Sequence, residues 1–375
     1  MAESQPITQR VSVIHALGMA RHKHVEGALD EARELYERVV GAAPDHADAV
    51  TMLASIAYRQ GRDDEGGALL DRAIGLACHA MQRKPEDGAS RAAATNLLLA
   101  RGRTGEAEAA IQTLSVALNP VRERPETFAA RRETAIAAGL PPIIITTLPK
   151  SASESIWNKL SDGLGLARCY LSLGLFPDCC LIPQRMREAA KGGIAVKEHI
   201  APTAHNLALL RETGIDRIVV HHRDPRQATL SWVHFARDDI NRRLMAPLWR
   251  RIVPPRAILD SSLERQIDWS IDHYLPLLVD FLRDWRAVAQ DPKSAMNALF
   301  MSFELFRTEP DAYFERVLAF YDIPRARFAF DAEAEVVHLR KGRIDEWREV
   351  FTAEQRRRAW SYIPEDLAAA LGWEP

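Results

Sequence analysis

The chain has no excess of either charge: 49 Lys and Arg stand against 51 Asp and Glu over 375 residues. Bulk attraction to nucleic acid or to an anionic membrane surface is therefore not expected. No apolar run approaches the ~18 residues that a bilayer-spanning helix needs. The opening, MAESQPITQRVSVIHALGMA, is too polar for a secretory signal, and its apolar part is too short. Cysteine is scarce: Cys78, Cys169, Cys179 and Cys180 show no CxxC spacing, and adjacent cysteines make poor disulfide partners. That pattern excludes a disulfide framework, implies no metal site, and fits reduced thiols in a cytoplasmic location. What is present is a 47% apolar composition, ample for real cores, in a length that fits two domains.

The first third has little that reads as strand and is rich in Ala, Leu, Glu and Arg. It contains an internal repetition. Gly27, Gly61 and Gly102 open the similar phrases GALDEARELYERVV, GRDDEGGALLDRAI and GRTGEAEAAIQTLS. The first two glycines are 34 residues apart, and the third is 41 further on, or 34 plus an insertion of 7. Ala32, Tyr36, Val39 and Pro44 in the first copy answer to Ala107, Ile111, Leu114 and Asn119-Pro120 in the third. This resembles tetratricopeptide repeats, about three copies over residues 10 to 120. One helical hairpin cannot bury its apolar face alone, so neighbours stack into a superhelix. A generic helical bundle is the plain alternative. The RERPET segment around Pro120 and Pro125 marks a joint. The expected domains are residues 1–125, an all-α repeat domain, and residues 126–375.

From Pro141 onward the pattern alternates. GGIAVKEH, RIVVHHRD and NALFMSFE are apolar runs of buried-strand type, with helical stretches between them. Pro225 suits the first position of a helix, and the amphipathic stretch SLERQIDWSIDHYLPLLVDFLRDWRAVA is expected to bend near Pro276. A parallel sheet flanked by helices follows, with ligands expected beyond the carboxyl ends of its strands.

Three motifs carry the chemistry. In PPIIITTLPKSASESIWNKL, a strand meets Lys150-Ser151 at the start of a helix, a layout that holds phosphate on backbone amides. The full GxxxxGK[ST] loop is missing, as is an Asp placed to hold magnesium, which argues against nucleoside triphosphate hydrolysis. Strand RIVVHH ends in Arg223, and Ser231 follows eight residues later on the next helix. Near the end, Arg340-Lys341-Gly342 sets two cations beside a flexible residue. Singly, these read as an ordinary loop, a surface ion pair and a solvated basic turn.

Together they resemble the PAPS-dependent sulfotransferases, over residues 141 to 373. The resemblance implies a P-loop-type α/β domain in which Lys150, Ser151, Ala152, Ser153, Glu154 and Ser155 hold the 5′-phosphosulfate. It implies that Arg223 and Ser231 hold the 3′-phosphate, and that Arg340, Lys341 and Gly342 close over it, with Trp347 and Phe351 in step. MSFELF and the DAYFERVLAFYDIP stretch after it are similar to a further family segment. The family's KTHLP-like stretch resembles Lys197-Glu198-His199-Ile200-Ala201-Pro202, making His199 the general base, with Lys197 and Lys150 supporting the transferring group. Strand alternation puts Lys197 and His199 on one face and Glu198 on the other. His205 and the His221-His222 pair read instead as buried-strand or surface histidines.

Three positions depart from the family pattern. Ala152 replaces a glycine, Glu154 a threonine, and Ser155 a tryptophan that stacks on adenine; Trp157 is two residues on, elsewhere on the helix. The implied activity is transfer of a sulfuryl group from PAPS to an acceptor hydroxyl or amine, leaving PAP, without a metal. The acceptor stays open among a carbohydrate, a small alcohol or phenol, and a peptide tyrosine. The repeats would recognise that acceptor or a protein partner, with no role for nucleic acid or membrane. Two alternatives are a repeat scaffold with a degenerate sulfotransferase-like domain and, less well supported, a P-loop kinase.

Overall fold

A computed structural model describes residues 5–238, 251–329 and 343–375. The chain divides into two compact units, Met1–Ile111 with Val233–Gln266, and Gln112–Trp232 with Ile267–Pro375.

The first unit is a run of helical hairpins: α1 (Gln5–Glu26), α2 (Leu29–Ala42), α3 (Ala47–Arg59), α4 (Asp63–Arg83), α5 (Gly88–Ala100) and α6 (Thr104–Ile111). The three glycines of the repeat are the three hairpin turns. Gly27, Gly61 and Gly102 have φ of 84°, 75° and 76°, left-handed backbone in which a side chain would be strained. Five residues after each turn comes a small residue, Ala32, Gly66 or Ala107. Ala32 and Ala107 are fully buried, and a Cβ on Gly66 would lie 2.5 Å from the Tyr58 ring. The second helix of each pair can approach the first only over such a residue. Ala32, Tyr36 and Val39 form one buried face of α2, packed with Ala49, Leu53 and Ile56 of α3. The seven-residue insertion also has a structural address. α4 has 21 residues where α2 has 14, so the insertion adds two helical turns and keeps the apolar face in phase.

The second unit is built on a sheet. Its elements begin with β1 (Asn119–Pro120), α7 (Pro125–Ala137), β2 (Ile143–Thr147), α8 (Ser153–Leu164) and β3 (Ala167–Tyr170). A small ribbon of β4 (Ser172–Leu173) and β5 (Cys180–Leu181) precedes α9 (Pro183–Ala189), β6 (Ile194–Glu198), α10 (Ala204–Glu212), β7 (Arg217–His222) and α11 (Pro225–Asp238). After α12 (Arg256–Leu259), which falls in the first unit, come α13 (Leu263–His273), α14 (Leu275–Gln290), β8 (Asn297–Ser302), α15 (Phe303–Thr308) and α16 (Pro310–Phe320). The chain closes with α17 (Glu346–Val350), α18 (Ala353–Ser361) and α19 (Glu365–Leu371). Pro225 opens α11, and the expected bend is a break at Tyr274, with Pro276 in the first turn of α14.

Among the described residues the main sheet runs β1-β3-β6-β2-β7-β8, parallel from β3 to β8 with β1 antiparallel at one edge. β1 pairs with β3 through Asn119 and Pro120, so the sheet draws on residues ahead of the 125/126 joint. β2, β6 and β7 are β-branched runs buried on both faces, as a sheet covered by helices requires. Ile143, Ile145, Val219 and Ala195 pack against Trp157 of α8 and Phe314 and Val317 of α16. From β2 the chain crosses to β3 on one side; from β6 it crosses back over β2 to β7. That reversal leaves the carboxyl ends of β6, β2 and β7 side by side, with the crevice of an open α/β sheet beyond them.

Candidate functional site

The loop from Leu148 to Ala152 joins the end of β2 to α8. Lys150 and Ala152 both have left-handed backbone, φ 64° and 63°, with Ser151 between them. Alternation of this kind turns successive peptide N–H groups toward one point, an anion-binding concavity at a helix N-terminus. It is costly for residues with a Cβ, by roughly 1 kcal/mol each, so the surroundings must hold the loop in place. They do so through its carbonyls. His221 Nε2 donates to the Ser151 carbonyl at 2.7 Å, and Ser151 Oγ donates to that of Leu148 at 2.7 Å. Arg223 Nη1 donates to the Lys150 carbonyl at 2.9 Å. Each of these bonds fixes a loop carbonyl against the protein.

Arg223, buried at the end of β7, is braced three ways. Its other amine donates to the Arg343 carbonyl at 2.7 Å, and its guanidinium lies 3.9 Å over the Phe303 ring. The start of α11 beside it is equally fixed. Asp224 accepts from the Arg226 side chain and backbone, while the Arg226 guanidinium lies 3.8 Å over Trp347. The Trp347 backbone N–H donates to Gln227 Oε1 at 3.1 Å. The segment 343–351, with Trp347 and Phe351 buried, is thus anchored at Arg223 and at the start of α11. Ser231 lies two turns into α11, partly exposed. Arg340, Lys341 and Gly342 lie outside the described residues.

At the end of β6, Lys197 and His199 differ in their surroundings. Lys197 Nζ contacts Glu154 Oε1 at 2.5 Å and lies 5.8 Å from the Trp157 ring centroid. Glu154, in the first turn of α8, is also paired by Arg122 at 3.3 Å through its other oxygen. His199 Nδ1 sits 2.6 Å from the Thr147 carbonyl. A carbonyl only accepts, so Nδ1 carries the proton and Nε2 keeps a lone pair, the tautomer a general base needs. Burial, and then the neighbouring Lys197, lower the imidazole to about pKa 4. It is therefore neutral over a wide range but a weaker base than an unperturbed histidine.

Glu198 faces the other way and is fully committed. It accepts from the Leu171 and Ser172 backbone N–H groups at 2.9 and 3.0 Å and from Ser172 Oγ at 2.5 Å. It ties the β3–β4 turn to β6. Burial raises its carboxyl above the usual range. His205 bridges Gln112 and the Leu181 carbonyl, and His222 is buried against Phe300 and Trp373. His221, its ring held by the Tyr313 hydroxyl at 3.0 Å, braces the loop. That role had no sequence signal, because its bond to Ser151 spans 70 residues. Trp157 is fully buried, and its indole N–H donates to the Ala195 carbonyl at 2.9 Å, so it supports β6 from beneath. Ser153 and Ser155 are buried in the first turn of α8.

Among the described residues no cluster of His, Cys, Asp or Glu could hold a metal ion, and no helix is long and apolar enough to cross a membrane. The four cysteines are free thiols.

Residues 26–77 match a family model described as Tetratricopeptide repeat. Among curated proteins, none matches the chain. Of solved structures, mouse sulfotransferase SULT7A1 complexed with PAP aligns over 65% of this chain and 94% of its own, at 14% identity and a TM-score of 0.43. The TPR domain of P58(IPK) aligns over 96% of this chain and 80% of its own, at 12% identity and a TM-score of 0.21.

Proposed function

We propose that the second unit moves a sulfuryl group from 3′-phosphoadenosine 5′-phosphosulfate to an acceptor hydroxyl or amine. Residues 126–375, with β1 completing their sheet, would carry the transfer. Residues 1–125, whose repeats point to protein interaction, would help select the acceptor or a partner. The observation that carries this reading is the braced loop. Lys150 and Ala152 alternate in left-handed backbone at the head of α8, and the loop's carbonyls are tied back by His221 and Arg223.

In this reading the amides of residues 150–155 and the Lys150 ammonium hold the 5′-phosphosulfate. Arg223 and Ser231 hold the 3′-phosphate, and Arg340, Lys341 and Gly342 add cations to the same group. PAPS, when bound, supplies the activated sulfuryl group. His199 Nε2 takes the proton from the acceptor oxygen as that oxygen bonds to sulfur and the bond to the 5′-phosphate breaks. Positioning and electrostatics suffice for such a transfer, each positioned donor contributing on the order of 10²-fold in rate.

A second reading, a repeat scaffold whose transfer domain is degenerate, draws support from Lys197 being already neutralised by Glu154. One experiment separates the two. The full chain is incubated with PAPS carrying radiolabelled sulfate and a fractionated cell extract. Sulfotransferase activity predicts label on an acceptor fraction; tight PAP binding with no labelled acceptor points to the scaffold.

A further inference from the structure

Glu154 is the one acidic side chain in the first turn of α8, beside the loop argued to receive an anion. Its carboxylate is not idle there. One oxygen contacts Lys197 and the other faces Arg122 at 3.3 Å. The two cations are unequal. The Lys197 side chain is 10% exposed, at the crevice end of β6, whereas Arg122 is 50% exposed, between β1 and α7. Glu154 itself is 25% exposed. A carboxylate here therefore has an inner partner on the reaction side and an outer partner toward water.

We propose that Glu154 is an exchangeable counter-anion: it neutralises Lys197 at rest and is passed to Arg122 when the sulfuryl end of the nucleotide takes Lys197. The inference rests on the sulfotransferase reading of the site. It makes the Glu154 and Arg122 side chains determinants of nucleotide choice, although neither side chain touches the nucleotide.

The physics is a competition for one cation. A buried ammonium gains most from a single close anion, and a second negative group cannot approach while the first stays. Like charges forced together in a partly desolvated site cost several kcal/mol, which would exclude the ligand. Moving the carboxylate outward removes that repulsion, and Arg122 keeps it from being stranded unpaired. The exchange bears on the sulfuryl group alone. The 5′-phosphate is held by the loop amides and Lys150, and the 3′-phosphate by Arg223, on a different strand end. A nucleotide that stops at the 5′-phosphate need not dislodge Glu154.

The test is calorimetric binding of PAPS and of PAP to the full chain and three variants, in the absence of acceptor. Glu154→Gln keeps the shape and removes the charge; it is expected to tighten PAPS about tenfold and to change PAP by less than about threefold. Arg122→Gln removes the outer seat and should weaken PAPS by about threefold to tenfold, again sparing PAP. In the double variant the Arg122 effect should vanish, since there is no displaced carboxylate left to receive. A plain electrostatic pull of Arg122 on the nucleotide would persist in that background and would overturn the exchange. Equal shifts for PAP and PAPS in Glu154→Gln, or no shift in either, would also overturn it. Should Glu154→Gln fail to fold, Arg122→Gln, whose half-exposed side chain can be removed without disturbing the core, must weaken PAPS while sparing PAP; equal weakening of both, the mark of a plain pull, would overturn the exchange. If neither nucleotide binds any form of the chain, the sulfotransferase reading itself has failed, a result distinct from PAP binding without discrimination.

Discussion

His199 shows how one residue position can be fixed by its neighbours. The Thr147 carbonyl sets its tautomer, while burial and Lys197 keep it neutral to about pKa 4. His199→Ala is expected to leave PAP binding nearly intact and to lower turnover by roughly 10²- to 10⁴-fold. The pH profile carries the sign. A base held at about 4 stays deprotonated on acidification, so kcat/KM should remain flat through the unperturbed histidine range near 6.5 and fall only toward 4. Melting curves must accompany the profile. His221 and His222, also lowered by burial, to about 4 and about 3, refuse protons that the unfolded chain accepts below about pH 6.5, so stability declines in the same window. A limb near 6.5, or a stable and fully active His199→Ala, would remove this residue from the chemistry. Lys197 and His199 were legible in the sequence because strand alternation places them on one face. The seating of Lys197 on Glu154 was not, because that pair joins two elements 43 residues apart through side chains alone.

At the scale of elements, the repeat region was the most readable part. Its glycine spacing located all three hairpin turns, and the seven-residue excess became two added turns of α4. Periodicity survives in sequence because each hairpin packs only against its neighbours. Gly66 supplies the prediction. A methyl group there would meet the Tyr58 ring at 2.5 to 2.9 Å in a buried contact between α3 and α4. Gly66→Ala should therefore destabilise the chain by about 1–3 kcal/mol despite alanine's better helix propensity. Urea melts followed by circular dichroism would measure it, and an unchanged or raised midpoint would mean the hairpin tolerates a wider spacing. The strands of the α/β unit were readable from their β-branched runs. β1 was not, since a two-residue strand carries no period and its pairing with Cys169 and Tyr170 is decided by the distant β3.

For the whole molecule, the functional case depends on three chain segments far apart in sequence being brought to one place. The sheet order does this for two of them, setting β2 and β7 side by side so that Arg223 reaches the Lys150 carbonyl. Of the third, residues 343–351 are held there by the Arg343 carbonyl on Arg223 and Trp347 on Arg226, while Arg340, Lys341 and Gly342 lie outside the described residues. Sequence motifs could name the segments but could not order the strands, because order is a property of crossovers and packing that no local pattern encodes. If that convergence serves a nucleotide bearing both a 5′- and a 3′-phosphate, affinity must depend on the second phosphate. The direct measurement is calorimetric titration of the full chain with adenosine 3′,5′-bisphosphate and, separately, with adenosine 5′-monophosphate. Binding of the bisphosphate at least about 100-fold tighter, worth ~2.7 kcal/mol, is the predicted result. Equal affinity for the two nucleotides would contradict it.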